Sequence, residues 1–212
     1  MTARRRIGVC LSLDTGTKGA DMEDMRELVR ACRSYRRFDE SRAMMRDELV
    51  ELVDVARVCA SGANRQPLRY RVVVDADERA AVFAQLAWAG ALKDWDGPEP
   101  GERPTGYIVI CDAGGGATTA VDEGIAAQTI MLAAVQRGRG GCMLHAFNKA
   151  RVAEVLGLPA EVKPLMVIAL GVPAEEVRLE PLSASSDGST TYWRDGNGIH
   201  HVPKRALEDV LL

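Results

Sequence analysis

The chain is short of several things at once. It has five cysteines in 212 residues, an odd number with no C-x-x-C pair. That argues against a disulfide framework and against a zinc site. Histidine is rarer, at three, and two of these, His200 and His201, are adjacent. Neighbours in an extended segment point to opposite sides, so this pair cannot easily ligate one ion. No other acidic or histidine set has ligand spacing, and no metal is expected. The net charge of −3 lacks the basic excess of a nucleic-acid binder. No apolar run reaches membrane-spanning length, and no serine lies in a G-x-S-x-G context, which leaves hydrolysis without a nucleophile elbow. Aromatics make up only 5% of the chain, so Trp88 and Trp95, set seven residues apart among Asp, Gly and Pro, stand out.

What is present is ordinary for a globular protein: 47% apolar and 27% charged residues. The length suits one domain with a real core. Residues 1–21 have no strong periodicity. Their basic start, Arg4-Arg5-Arg6, leads into an Ile7–Leu13 stretch too short and polar for a signal-peptide core. We read residues 1–21 as an extension, residues 22–212 as a single domain, and the protein as cytoplasmic.

Helical spacing of Met25, Leu28, Val29 and Cys32 predicts a helix from about Met22 into the Arg33 cluster. A second helix carries Leu49, Leu52, Val53 and Ala56 on one face and breaks at Ser61-Gly62. Tyr70–Val74 reads as a strand. Asp77 is the expected N-cap of a helix through Ala87. Trp88–Pro104 is a long loop, equally consistent with a binding role and with a surface loop pinned by two packed indoles. Strands follow at Gly106–Cys111, Gly140–Leu144 and Pro164–Gly171. Between them lie a helix over about Asp122–Arg137 and another capped by Asn148. The Asp122–Arg137 helix is apolar almost all round, which predicts burial on every side and a face against a second subunit. Beyond Pro173 the chain turns polar, with a last helical run from about Arg205 to Leu211. Periodicity alone points to a parallel α/β sheet.

Three donor clusters punctuate this pattern. Arg33-Ser34-x-Arg36-Arg37 closes the first helical run; guanidinium groups donate bidentately to phosphate and planar heteroatom edges. Ser61-Gly62-Ala63-Asn64-Arg65-Gln66-Pro67 is the second, and Pro203-Lys204-Arg205 the third. A dinucleotide fingerprint at Gly114-Gly115-Gly116 is the runner-up, but its sixth position is Thr119 and Asp112-Ala113 separate it from the strand. Donor clusters without a catalytic triad suit an enzyme whose cofactor carries the chemistry.

In their order and spacing, Arg33-Ser34-x-Arg36-x-Phe38, Ser61-x-x-Asn64-x-Gln66-Pro67 and Gly140–Phe147 resemble the FMN-dependent nitroreductase family, over roughly Met25–Leu211. Trp88–Pro98 and Tyr192–Arg205 look like a poorly characterised subgroup of it. The resemblance implies an α+β fold, a central mainly antiparallel sheet flanked by helices, and a homodimer with two FMN sites, each built from both chains. It assigns Arg33, Ser34 and Arg36 to phosphate, ribityl and pyrimidine edge, and Ser61, Asn64 and Gln66 to a second group at the ring or ribityl. It sets the backbone of Leu144, His145 and Ala146 against the ring, and Lys204 and Arg205 on the phosphate. Three positions depart from the family: Cys32 stands where an Arg is frequent, His145 where a Gly is, and Leu68 where an aromatic is common after Gln-Pro. The implied activity is NADH- or NADPH-dependent two-electron reduction of a small acceptor such as a nitroaromatic or quinone. The alternative is a flavin-binding store or sensor without turnover.

Overall fold

The computed structural model describes residues 24–212. The expected extension, residues 1–21, lies outside them. Four strands form the main sheet: β1 (Leu68–Val73), β2 (Gly106–Asp112), β3 (Gly140–Leu144) and β4 (Lys163–Gly171). Their order is β1-β2-β4-β3, and every neighbouring pair is antiparallel. The fold is therefore α+β, as the resemblance implies and periodicity alone does not. Alternating helices and strands fix which elements exist, but a long connection can join antiparallel neighbours as readily as parallel ones.

The central strands are buried on both faces, and period-2 alternation sorts their side chains. Ile108, Ile110, Met166, Ile168 and Leu170 face one layer of helices: α2 (Arg46–Ala56), through Leu49, Leu52 and Ala56, and α4 (Thr119–Gln136), through Ala126, Ala127, Ile130, Met131 and Ala134. Tyr107, Val109, Cys111, Val167 and Ala169 face the other, where α3 (Ala76–Phe83) supplies Val82 and α5 (Lys149–Val155) supplies Val152. β3 lies close against its neighbour β4: a Cβ on Gly141 would stand 2.5 Å from the carbonyl oxygen of Ala169.

Several elements differ from expectation. The first helix, α1 (Met25–Ala31), stops before the arginine cluster because Cys32 turns extended. Leu28 and Cys32 are buried, whereas Met25 and Val29 are exposed. Asp75, not Asp77, caps α3, accepting from the amides of Asp77 and Glu78, and the helix ends at Phe83. α4 is largely covered within this single chain; Val121, Gly124, Ile125 and Gln128 form an exposed stripe, and Ala120 and Gln136 are exposed near its ends. Both indoles of the 88–104 loop are packed: Trp88 is buried and meets Trp95 edge-on at 6.5 Å. Gly97, at φ 125°, lies so close that a Cβ would come within 2.6 Å of the Trp88 ring.

The polar C-terminal stretch holds a second sheet that periodicity did not reveal. β5 (Val177–Pro181) runs parallel to β7 (His200–Lys204), and β6 (Trp193–Arg194) pairs antiparallel with β7's start. The expected helix over Arg205–Leu211 is absent; those residues form turns and extended chain.

Candidate functional site

The first donor cluster leaves α1 and runs along the open edge of β3. Ser34 bridges Gly141 in parallel, and the amide of Tyr35 donates to the Gly141 carbonyl at 2.9 Å. Cys32, behind it, is buried and receives the Gln128 side-chain amide of α4 at 3.6 Å. Burial raises the Cys32 thiol above its ordinary value, so it acts as packing and not as a thiolate. Arg33 donates through Nη2 to the Val29 carbonyl at 2.6 Å, while its Nε is buried without a partner. The Ser34 side chain is exposed.

Arg36 is buried and largely committed to the protein itself. Its Nη1 donates to the Ser34 carbonyl and approaches His200 Nε2, both at 3.2 Å, and Tyr192 covers the guanidinium at 4.8 Å. Burial first, then the Arg36 and Arg194 charges, push His200 down to about 4. At neutral pH the ring is therefore uncharged. Arginine only donates, so Nε2 accepts and the proton sits on Nδ1, which is buried with no partner.

Glu175, in the loop after β4, ties the cluster to the second sheet. Its Oε1 accepts from the backbone amides of Arg36 and Arg37, the latter at 3.1 Å, and its Oε2 from Arg194 at 2.9 Å. The Glu175 side chain is only 2% exposed. Trp95 lies under both Arg194 (4.6 Å) and Arg37 (5.9 Å), so the long loop is anchored in the same network. Between that loop and β6, Lys93, Trp95, Tyr192, Trp193 and Arg194 line a cleft of about 600 Å³.

The second donor cluster sits at the start of α4. Ser61 Oγ donates to Asp122 Oδ2 at 2.7 Å, the Gly62 amide donates to Asp122 Oδ1 at 2.9 Å, and Ser61 Oγ accepts from the Gln66 amide at 2.9 Å. These donors, the Ser61 hydroxyl first, hold the Asp122 carboxyl below its usual range. The Ser61 hydroxyl thus serves the loop. Asn64 and Gln66 are exposed, linked to each other at 2.9 Å, and Ala63, Asn64 and Gln66 all adopt positive φ, at 51°, 54° and 50°. Such clustered backbone strain in non-glycine residues is typical of functional loops. Ser61, Arg65, Gln66, Arg69, Tyr70 and Asp122 line a cleft of about 550 Å³.

The third group follows β3. Leu144 is buried; His145 and Ala146 are exposed, and the Ala146 carbonyl accepts from the Ala87 amide at 2.8 Å. His145 Nδ1 lies 3.8 Å from Glu123 Oε1 on α4. Lys204 and Arg205 are exposed at and beyond the end of β7. Lys204 is set apart from His200, four residues further on and roughly 13 Å along an extended strand. The Ser34 and Asn64 groups are also separate. Gln128 marks the first and Asp122 the second, six residues apart on α4 or roughly 9 Å along its axis.

A family model matches residues 29–172 of the chain, and its description is "Nitroreductase family". The chain belongs to the nitroreductase family. At the level of class, that places it with the oxidoreductases. Solved structures agree on the fold. A nitroreductase family protein from Clostridium difficile superposes with a TM-score of 0.59 at 22% identity, over 72% of this chain and 86% of its own. A putative nitroreductase from Exiguobacterium sibiricum, solved in complex with FMN, gives 0.59 at 17% identity, over 72% and 90%. The NADPH:FMN oxidoreductase of Vibrio harveyi, complexed with NAD+, gives 0.58 at 24% identity, over 74% and 71%.

Sequence reasoning missed the residues that organise these donor clusters. Asp122 reads as an ordinary first-turn carboxylate, and Glu175 carries no motif at all. Tyr192 and Arg194 stand in a stretch whose resemblance to a subgroup was legible, although its contacts were not.

Proposed function

We propose that this nitroreductase is an FMN-dependent oxidoreductase that takes electrons from NADH or NADPH and passes them in pairs to a small acceptor such as a nitroaromatic or a quinone. One observation carries the reading: the fold leaves open the donors that a phosphorylated, planar ligand needs. Arg33 keeps a buried, partnerless Nε beside the exposed Ser34. Asn64 and Gln66 stand exposed on a strained loop, and Lys204 and Arg205 are exposed cations. Phosphate, ribityl hydroxyls and a pyrimidine edge are mostly acceptors, so the donor set fits the group.

In this reading Arg33, Ser34, Lys204 and Arg205 hold the phosphate end, and Asn64 and Gln66 hold the ribityl or ring. The backbone of Leu144, His145 and Ala146 lies against the ring's reactive edge. Arg36 and Ser61 act differently from the simple assignment. Arg36 has only the donors left by His200 and Ser34, and Ser61 acts by holding its loop through Asp122. When bound, FMN supplies two-electron redox chemistry; the chain binds, orients and shields.

The working unit is a homodimer. Met25 and Val29 of α1, with Val121 and Ile125 of α4, are apolar and exposed. Two chains facing through this surface could bring the Ser34 group of one and the Asn64 group of the other to a single ligand. Residues 22–212 act as one domain, and a cytoplasmic location agrees with the unpaired state of Cys32, Cys59, Cys111 and Cys142. No described helix is long and apolar enough to cross a membrane.

The test is colour. The purified protein should be yellow, carry FMN in stoichiometric amount, bleach anaerobically with NADH or NADPH, and regain colour with a quinone. A colourless chain that takes up no added FMN overturns the reading. A flavin that neither nicotinamide reduces would favour the store or sensor.

A further inference from the structure

We propose that Glu123 is a positioning residue for His145, and that the pair forms a proton-transfer site for the acceptor; this rests on the oxidoreductase reading above. His145 stands on the turn after β3, and Glu123 is buried near the start of α4. Two independent observations join them. His145 Nδ1 lies 3.8 Å from Glu123 Oε1. That same Oε1 is buried and accepts no hydrogen bond among the described residues, in a side chain only 10% exposed.

A buried carboxylate oxygen without a donor is costly, so the site favours whatever donor can reach it. The neighbouring Asp122 cannot relieve it, since that carboxylate accepts from Ser61 and Gly62. The His145 side chain is 63% exposed and therefore free to swing the short distance to a hydrogen bond of about 3 Å.

An ionised carboxylate only accepts, so Nδ1 carries the proton that faces Glu123. The ring is then held in one tautomer and one orientation, the part a carboxylate plays behind a catalytic histidine. Nε2 takes no hydrogen-bond partner among the described residues: it is a bare lone pair when the ring is neutral, an N–H donor when it is charged. Reduction of a quinone to a hydroquinone adds two electrons and two protons. Reduced nicotinamide is the reductant and accounts for both electrons and one proton, as a hydride equivalent. The second proton leaves Nε2–H for the quinone oxygen, and solvent returns it to the ring. Glu123 neither gains nor loses a proton.

The deciding measurement is NMR of the imidazole nitrogens in the purified full chain, wild type against Glu123→Gln. Neutral His145 should be the Nδ1–H tautomer in the wild type. In Glu123→Gln the side-chain amide can donate to the ring, and the population should swing toward Nε2–H. A ring that is mainly Nε2–H in both proteins overturns the positioning role. The second measurement is acceptor reduction by the FMN-loaded chain. Exposed His145→Gln should fold normally and slow the acceptor step by on the order of a hundredfold, with the loss in kcat and not in KM. An unchanged rate overturns the proton transfer. A chain that shows the tautomer swing yet takes up no FMN would overturn the oxidoreductase reading and the proton transfer with it, while the Glu123–His145 pairing would stand.

Discussion

The two sheets of this molecule are held by opposite means. In the main sheet, Ile108, Val109, Ile110, Val167, Ile168, Ala169 and Leu170 are fully buried, and the central strands β2 and β4 are buried on both faces. In the C-terminal sheet most positions are half-buried or exposed. Its cohesion comes from Glu175 with Arg194, from Arg36 with His200, and from His201 with Glu180 at 2.8 Å. A dry sheet is stabilised by many weak, interchangeable contacts, whereas a polar one depends on a few groups that must all be paired. The second kind is the one that touches the candidate site.

The contrast can be broken most sharply at Glu175. Glu175→Ala leaves two backbone amides and the Arg194 charge without their acceptor, and should cost about 3–5 kcal/mol in urea unfolding. A loss below 1 kcal/mol would mean that the C-terminal sheet does not depend on this carboxylate.

In the main sheet, Ile168→Ala removes a fully buried side chain and should cost about 2–5 kcal/mol. The two losses should differ in kind. High salt should change the stability difference at Glu175 and leave that at Ile168 nearly constant, because only the first is electrostatic. Equal salt responses would erase the distinction between the sheets.

A smaller effect separates the adjacent histidines, which face opposite sides as expected of an extended segment. His200 is pushed down to about 4 from an ordinary 6.5. Between those values the unfolded chain binds more protons, so its contribution to stability is full above pH 6.5 and falls with acid. His201 is raised, chiefly by its hydrogen bond to Glu180 and then by Asp195. Its contribution is full below pH 6.5 and is lost as the pH rises through the raised value. His200→Gln should flatten the acid limb of the stability profile, and His201→Gln the limb above pH 6.5. The same sign for both variants would refute the paired assignment.

The smallest structural effect is expected at Lys204 and Arg205, which are exposed. The double change to Ala should leave stability within about 0.5 kcal/mol but weaken FMN binding far more than riboflavin binding. Equal losses for the two ligands would show that the pair does not meet the phosphate.

The main sheet and its helices were legible in the chain because burial leaves a local periodic record. Ile108 and Ile110 alternate with Val109, and Leu49, Leu52 and Ala56 repeat along one helical face. The C-terminal sheet left no such record. Its strands are short and polar, and Glu175 reaches partners 139 residues earlier in the chain. The same limit applied at the site. Arg33, Ser34, Asn64 and Gln66 could be picked out as donors, but the commitment of Arg36 to His200 and of Ser61 to Asp122 could not.

Sequence alone therefore determined the chemistry on offer: donor clusters, four strands with their helices, an odd number of cysteines with no C-x-x-C pair, and the family they resemble. Each of these depends on residue type or on neighbours a few positions away. Tertiary structure decided the antiparallel order of the sheet, the second sheet, and which donors stay open. It also set a buried, partnerless carboxylate oxygen of Glu123 beside His145. These depend on which distant groups share a volume from which water is excluded, where each hydrogen bond taken by one partner is withdrawn from every other.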